Sequence, residues 1–223
     1  MAYRRTSLME ERLAANRERI VAAARQLVAE GGLREAQIAA VAAAAGVSAG
    51  LIYRYFRSKG ELFVEVLNAA VAHEIEILNA IVKGPGPARQ RLYAAVESFT
   101  RRALTGPNLA YAFIAEPAEA EVDRARIRAR KKFGDVFKAV LKEGIAAGEF
   151  PAQDLDASAA CIVGAYTEAL VGPIGPSRAG VKDRERLIRA ICEFCVRAVS
   201  RPGAKTVGAA SAAIGSPRRQ NRG

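Results

Sequence analysis

Apolar residues recur three and four positions apart along most of the chain, and no window alternates residue by residue between hairpin turns, so the pattern predicts helices throughout. Ile20, Ala23, Ala24, Leu27 and Val28 form the first stripe after polar Asn16, Arg17 and Glu18, and Gly31 and Gly32 stop it; this predicts a helix over 13–30. Ile38, Val41, Ala42 and Ala45 make a short second stripe that closes at Gly46. Ser48 then opens a third, Leu51, Ile52, Tyr55 and Phe56, which ends at Arg57-Ser58-Lys59-Gly60. A longer helix follows over 60–82, with Leu62, Phe63, Val66, Leu67 and Ala70 inward, until Gly84-Pro85-Gly86-Pro87 breaks it.

Beyond that break, Leu92, Val96 and Phe99 predict a helix over 88–104, Gly106-Pro107-Asn108 interrupts, and a short segment covers 109–115. From Pro117 to about 147 a charged stretch carries an apolar stripe of Ile127, Phe133, Phe137, Val140 and Leu141. Its run of Arg124, Arg126, Arg128, Arg130, Lys131 and Lys132 reads as a solvated face, because acids surround it. Residues 157–171 hold one charge, Glu168, and are apolar nearly all round; 172–180 read as a loop, and 182–200 as a last amphipathic helix. Residues 202–223 lack enough apolar area to offset chain entropy and are expected to be a disordered basic tail. The expected fold is all-α: a three-helix unit at 1–60, a larger helical unit at 61–200, and the tail at 201–223.

Composition narrows the function classes. With 51% hydrophobic residues in 223, the chain can build a real core. No stretch holds about 18 uninterrupted apolar residues and no signal segment opens the chain, so a cytoplasmic protein is expected. Three cysteines do not make a disulfide framework, and Cys192 and Cys195, one turn apart, read as small apolar core residues. A lone His73 without a ligand set gives no metal site. No glycine-rich phosphate loop or nucleophile-base signature appears, so neither a cofactor nor catalysis is expected. The formal charge of +11 is uneven: ten Lys/Arg face five Asp/Glu in 1–60, nineteen face eighteen in 61–200, and five face none beyond. A nearly neutral body with basic ends suits a polyanion met by the ends.

The local motif gives that charge a use. Ile38 to Phe56 has helix-turn-helix spacing, with Gly46 in the turn, Val47 as a plug and Ser48 as a cap. Small Ala49 and Gly50 at the start of the second helix permit close approach to base edges, while Tyr53, Tyr55 and Lys59 can reach phosphate. On spacing alone the alternative is a three-helix core in which the tyrosines only pack. The stretches Ile20 to Leu27, Val41 to Ser48 and Gly50 to Lys59 with Leu62-Phe63 resemble the N-terminal domain of the tetracycline-repressor (TetR) family of bacterial regulators. The resemblance implies a homodimeric one-component regulator, with operator DNA bound by the N-terminal helices and a small molecule by the C-terminal domain. It makes Ala49, Gly50 and their neighbours groove-facing, Tyr53 and Lys59 phosphate contacts, and Tyr55 a base or phosphate contact. Gln37 stands where the family often has a Thr or Ser cap, and Leu51 where a Thr or Ser often follows the glycine.

For the effector, the aromatic residues Phe99, Tyr111, Phe113, Phe137 and Tyr166, with Glu168 as the only acid, are the expected lining. That lining predicts an apolar, uncharged or weakly cationic ligand, with Arg101 and Arg102 facing solvent. The dimer is expected to close through Ile162, Val163, Tyr166, Leu170, Leu187, Ile188, Ile191 and Cys195 on the last two helices. Two other classes stay open: a ligand-insensitive DNA-binding protein with a solid body, and an all-α enzyme.

Overall fold

A computed structural model describes residues 2–176 and 183–200, and among them there are nine helices and no strand. They run α1 (Ala2–Gly31), α2 (Ile38–Ala45), α3 (Ala49–Tyr55), α4 (Lys59–Val82), α5 (Ala88–Thr105), α6 (Pro107–Ile114), α7 (Ala120–Ala146), α8 (Leu155–Ile174) and α9 (Arg184–Ala198). Most boundaries fall where the caps put them. Gly46 takes φ 63° and closes α2, donating its N–H to the carbonyls of Ala42 and Ala43. Ser48, Ser58, Asp154 and Asp183 each accept a backbone N–H in the first turn of α3, α4, α8 and α9.

Two elements differ from expectation. α1 begins at Ala2, eleven residues before the expected start at 13, because Met9, Glu10, Glu11 and Arg12 favour helix. α8 runs through Pro173, whose missing N–H and fixed φ end it one residue later instead of preventing its last turn. The tail at 201–223 lies outside the described residues.

The buried residues form two clusters. The head packs Ile20, Ala24 and Val28 of α1, Val41 and Ala45 of α2, Ile52 of α3, and Phe56 against Leu62, Phe63 and Val66 of α4, and it borrows Ala112 of α6 and Val122 of α7. The body packs Leu67, Val71 and Leu78 of α4 against α5, α7, α8 and α9. The two cores therefore meet inside α4, between Val66 and Leu67, and not at residue 60, because one continuous helix supplies both with its inward stripe. α8 is long and apolar enough, on average, to cross a membrane, but it packs against α5, α6, α7 and α9. Its apolar average reflects many Ala and Gly residues on its outer side and a true core stripe within.

That division corrects the expected dimer residues. Ile162, Val163, Tyr166 and Leu170 of α8 and Ile188, Ile191 and Cys195 of α9 are buried in their own chain, and Leu187 packs half-buried against the same core. The outward faces of these helices carry Ala157, Cys161, Gly164, Glu168 and Phe194 instead, with Phe194 57% exposed. The strongest apolar stripe was consumed by intrachain packing. Ile127 is likewise misassigned: it is 65% exposed, and Arg126, expected in water, takes the inward place.

Candidate functional site

The turn of the head holds α3 so that one face stays outside the core. Ser48, Ala49, Gly50, Tyr53 and Arg54 are exposed on it, Arg57 is exposed just past its end, and Leu51 is half-buried. A Cβ on Gly50 would meet nothing closer than Ser48 Oγ at 4.0 Å, so nothing inside the chain requires a glycine there. Its smallness matters only to something approaching from outside. The Ser48 hydroxyl itself is engaged in the cap, accepting from Leu51 N–H at 3.1 Å.

Lys59 begins α4 beside this face. Its Nζ lies 5.3 Å from the Phe63 ring centroid and donates to Gln37 Oε1 at 3.3 Å, while Gln37 Nε2 donates to the Arg34 carbonyl at 2.6 Å. Gln37 thus makes no side-chain cap for α2 and instead ties the α1–α2 loop to the ammonium. Tyr55 departs from expectation. Its hydroxyl is buried without a partner among the described residues, since the ring turns into the head core, and it cannot reach a phosphate from there. Arg54 and Arg57 were missed; the helical offset from Gly50 to Arg54 was the signal that could have found Arg54.

The body holds a cavity of about 580 Å³ between α1, α4, α5, α6, α7 and α8. Leu67, Val71, Phe99, Phe113, Ile114 and Phe133 give it an apolar wall, and Arg25, Arg101, Arg102, Arg126 and Arg130 stand in the same lining with His73 and Glu74. Arg102 donates to the Glu74 carboxylate at 2.6 Å and to Ser98 Oγ at 2.5 Å, and Arg101 pairs with Glu97 and Glu185. The Glu185 and Glu97 hydrogen bonds hold Arg101 more firmly protonated than usual.

Of the six expected effector residues, two stand here, Phe99 and Phe113. Tyr111 lines a separate hollow against the head, Phe137 and Tyr166 are wholly buried, and Glu168 sits in an outer groove between α7 and α8. Tyr166 supports the wall from behind, its ring 4.7 Å from that of Phe99 and 5.8 Å from that of Phe137. Arg101 and Arg102 face the cavity, against expectation. Carboxylates at 74, 97 and 185 on α4, α5 and α9 stabilise that orientation, and no periodicity could reveal them.

Head and cavity are joined through the end of α6. Arg126 is 8% exposed; its Nη2 donates to the carbonyls of Ala112 and Glu116 at 2.5 and 2.6 Å, and its Nη1 to Asp123 at 2.6 Å. The Glu116 carboxylate in turn accepts the backbone N–H groups of Leu33, at 2.9 Å, and Arg34, at 3.4 Å, in the α1–α2 loop. Gly32 beside them has φ 82°, and a Cβ there would lie 2.9 Å from the Glu116 carboxylate. At the start of α6, Asn108 donates to the carbonyls of Ala29 and Glu30 at the end of α1.

Residues 20–66 match the family described as bacterial regulatory proteins, tetR family, and residues 85–170 match the tetracyclin repressor-like C-terminal domain. The chain belongs to the TetR family. As a TetR-family protein it is a sequence-specific DNA-binding transcriptional regulator whose body serves a small-molecule ligand and whose working form is a homodimer. It is 26% identical over 137 residues to the fatty acid metabolism regulator protein of Bacillus subtilis, covering 58% of this chain and 68% of that one. It is 36% identical over 117 residues to the HTH-type transcriptional repressor KstR of Rhodococcus jostii, a match spanning 48% of this chain and about half, 53%, of the relative. Among solved TetR-like folds, FadR from Bacillus subtilis in complex with stearoyl-CoA superposes with a TM-score of 0.69 at 22% identity, covering 82% of this chain and 98% of that one. RolR in complex with resorcinol gives 0.68 at 19% identity, covering 85% and 90%.

Proposed function

We propose that the protein is a cytoplasmic repressor, not a catalyst, that holds operator DNA through the outer face of α3 and the start of α4 and lets go when an amphiphilic acyl compound fills the cavity. The observation that carries this reading is the cavity's composition. A cavity of about 580 Å³ is the size drug-like and cofactor ligands need; its wall is largely apolar and its charges are mostly arginines. Arg25 and Arg130 have no carboxylate partner among the described residues, so a ligand with an acidic or strongly accepting end is favoured over a cation. The name of the Bacillus subtilis fatty acid metabolism regulator and the stearoyl-CoA bound in the FadR structure support the same class. A solid body, as a ligand-insensitive protein would have, is not what α4 to α7 enclose.

For the homodimer, the outer faces of α8 and α9 supply the surface. Ala157, Cys161 and Gly164 let two helices approach closely, and Phe194 gives an aromatic anchor. The protein's own operator, selected from random DNA, should be released from the preformed complex by stearoyl-CoA in a fluorescence-anisotropy titration. Release by resorcinol or a cationic dye while stearoyl-CoA and dodecanoate do nothing would overturn the effector class.

A further inference from the structure

One guanidinium in the cavity has an unfinished hydrogen-bond set. Arg126 lines the cavity, its two Nη atoms are engaged with Asp123 and with the carbonyls of Ala112 and Glu116, and its Nε–H is buried with no partner among the described residues. Buried donors are nearly always satisfied, so a cationic one left unpaired in a residue that lines the cavity points to an acceptor that arrives from outside. The same residue holds the end of α6, where Glu116 grips the α1–α2 loop of the head and Ala112 belongs to the head's own core.

We propose that Arg126 recognises the acyl oxygen of the effector, a carboxylate or a thioester carbonyl, and that the same contact loosens the Ala112 and Glu116 carbonyls and so unlatches Glu116 from Leu33 and Arg34. The inference rests on the cavity being the effector site. The guanidinium is planar and rigid, so turning its Nε edge toward a ligand cannot leave both Nη2 bonds undisturbed. Those bonds fix the α6–α7 turn, and that turn carries the carboxylate that accepts the backbone N–H groups of Leu33 and Arg34. Movement at Arg126 therefore reaches the head through two successive hydrogen-bonded links, without passing through α4. Asn108 keeps the other end of α6 on α1, so α6 pivots about that end and does not detach.

The test measures operator affinity with and without stearoyl-CoA, and with and without dodecanoate, for the full-length protein and four variants. Wild type should lose affinity by a factor in the range of about 5 to 150 on saturation. Ala110→Trp, which puts an indole into the cavity that Ala110 lines, should abolish binding of both probes and with it any change of operator affinity on their addition. Arg126→Met should weaken probe binding about tenfold or more, and Arg126→Lys, which keeps a charge for the two carbonyls, should fold normally and show most of the same loss. Glu116→Ala should bind both probes within about threefold of wild type, yet its operator affinity should hardly respond to them.

A response to stearoyl-CoA alone identifies the thioester as the recognised group, and a response to both identifies the shared acyl oxygen. If wild type responds to neither probe, or Ala110→Trp still responds, the acyl-effector cavity itself is refuted and the Arg126 inference falls with it. If Ala110→Trp behaves as expected but Arg126→Lys binds the probes as wild type does, or Glu116→Ala keeps the full response, the cavity stands and the Arg126 latch is overturned.

Discussion

Single residues of the head and body make two separable demands on solution chemistry. Arg54 is exposed on the outer face of α3 and its counterparts on a phosphate backbone would be sequence-independent. Arg54→Ala should weaken binding to every DNA sequence alike and flatten the slope of log K against log salt by about 0.9 for each phosphate it no longer neutralises; a change confined to one sequence would make it a base reader instead. In the body, burial pushes the Cys192 thiol up to about 12 and the Cys195 thiol to about 11, from an ordinary value of 9.0. Both stay protonated in the fold while the unfolded chain ionises from about pH 9, so the unfolded state holds fewer protons above that point and stability falls as pH rises from there toward 12. A thiol reagent at neutral pH should label Cys161 on the dissociated chain, where it is exposed, and Cys192 and Cys195 only after unfolding. Equal labelling of all three would show that α9 opens readily.

At the scale of elements, helix positions were legible where they depended on local chemistry. Gly46, Ser48 and the spacing of Ile38 to Phe56 are short-range signals, and α2 and α3 formed where those residues put them. Faces were not legible where packing chooses among several apolar options: α7 turns Arg126 inward and Ile127 outward because Ala112 and Glu116 offer carbonyls on one side only. The cavity was half visible for the same reason, since Phe99 announces an inward position but not whether its neighbour is another side chain or a void. One close approach between elements is decided by a missing atom. A Cβ on Gly144 of α7 would overlap the Phe150 ring and lie 2.9 Å from the Ala88 Cβ at the start of α5. Gly144→Ala should therefore destabilise the protein by about 1 to 3 kcal/mol, although alanine is the better helix former. Chemical denaturation checks the sign, and a more stable variant would show that the α7–α8 turn gives way easily.

For the molecule as a whole, two copies must present their α3 helices to one duplex, with successive major grooves about 34 to 36 Å apart. In the proposed dimer the faces left exposed on α8 and α9 would set that distance. Phe194→Arg should yield a folded monomer by sedimentation, with an unchanged helical spectrum and operator affinity reduced at least about a hundredfold. A dimer that persists would move the interface elsewhere.

The continuity of α4 through both cores bears on how such proteins can diversify. A recombination event that exchanges one head for another must splice within a single helix, between residues whose side chains already serve different cores. Each residue gained or lost there turns the head by about 100° and advances it by about 1.5 Å, so the reading frame of the gene is not the only frame to be preserved. Heads can be traded only among lineages that share the same screw phase across Val66 and Leu67, and a junction one residue out of step encodes two sound halves that no longer face the same DNA.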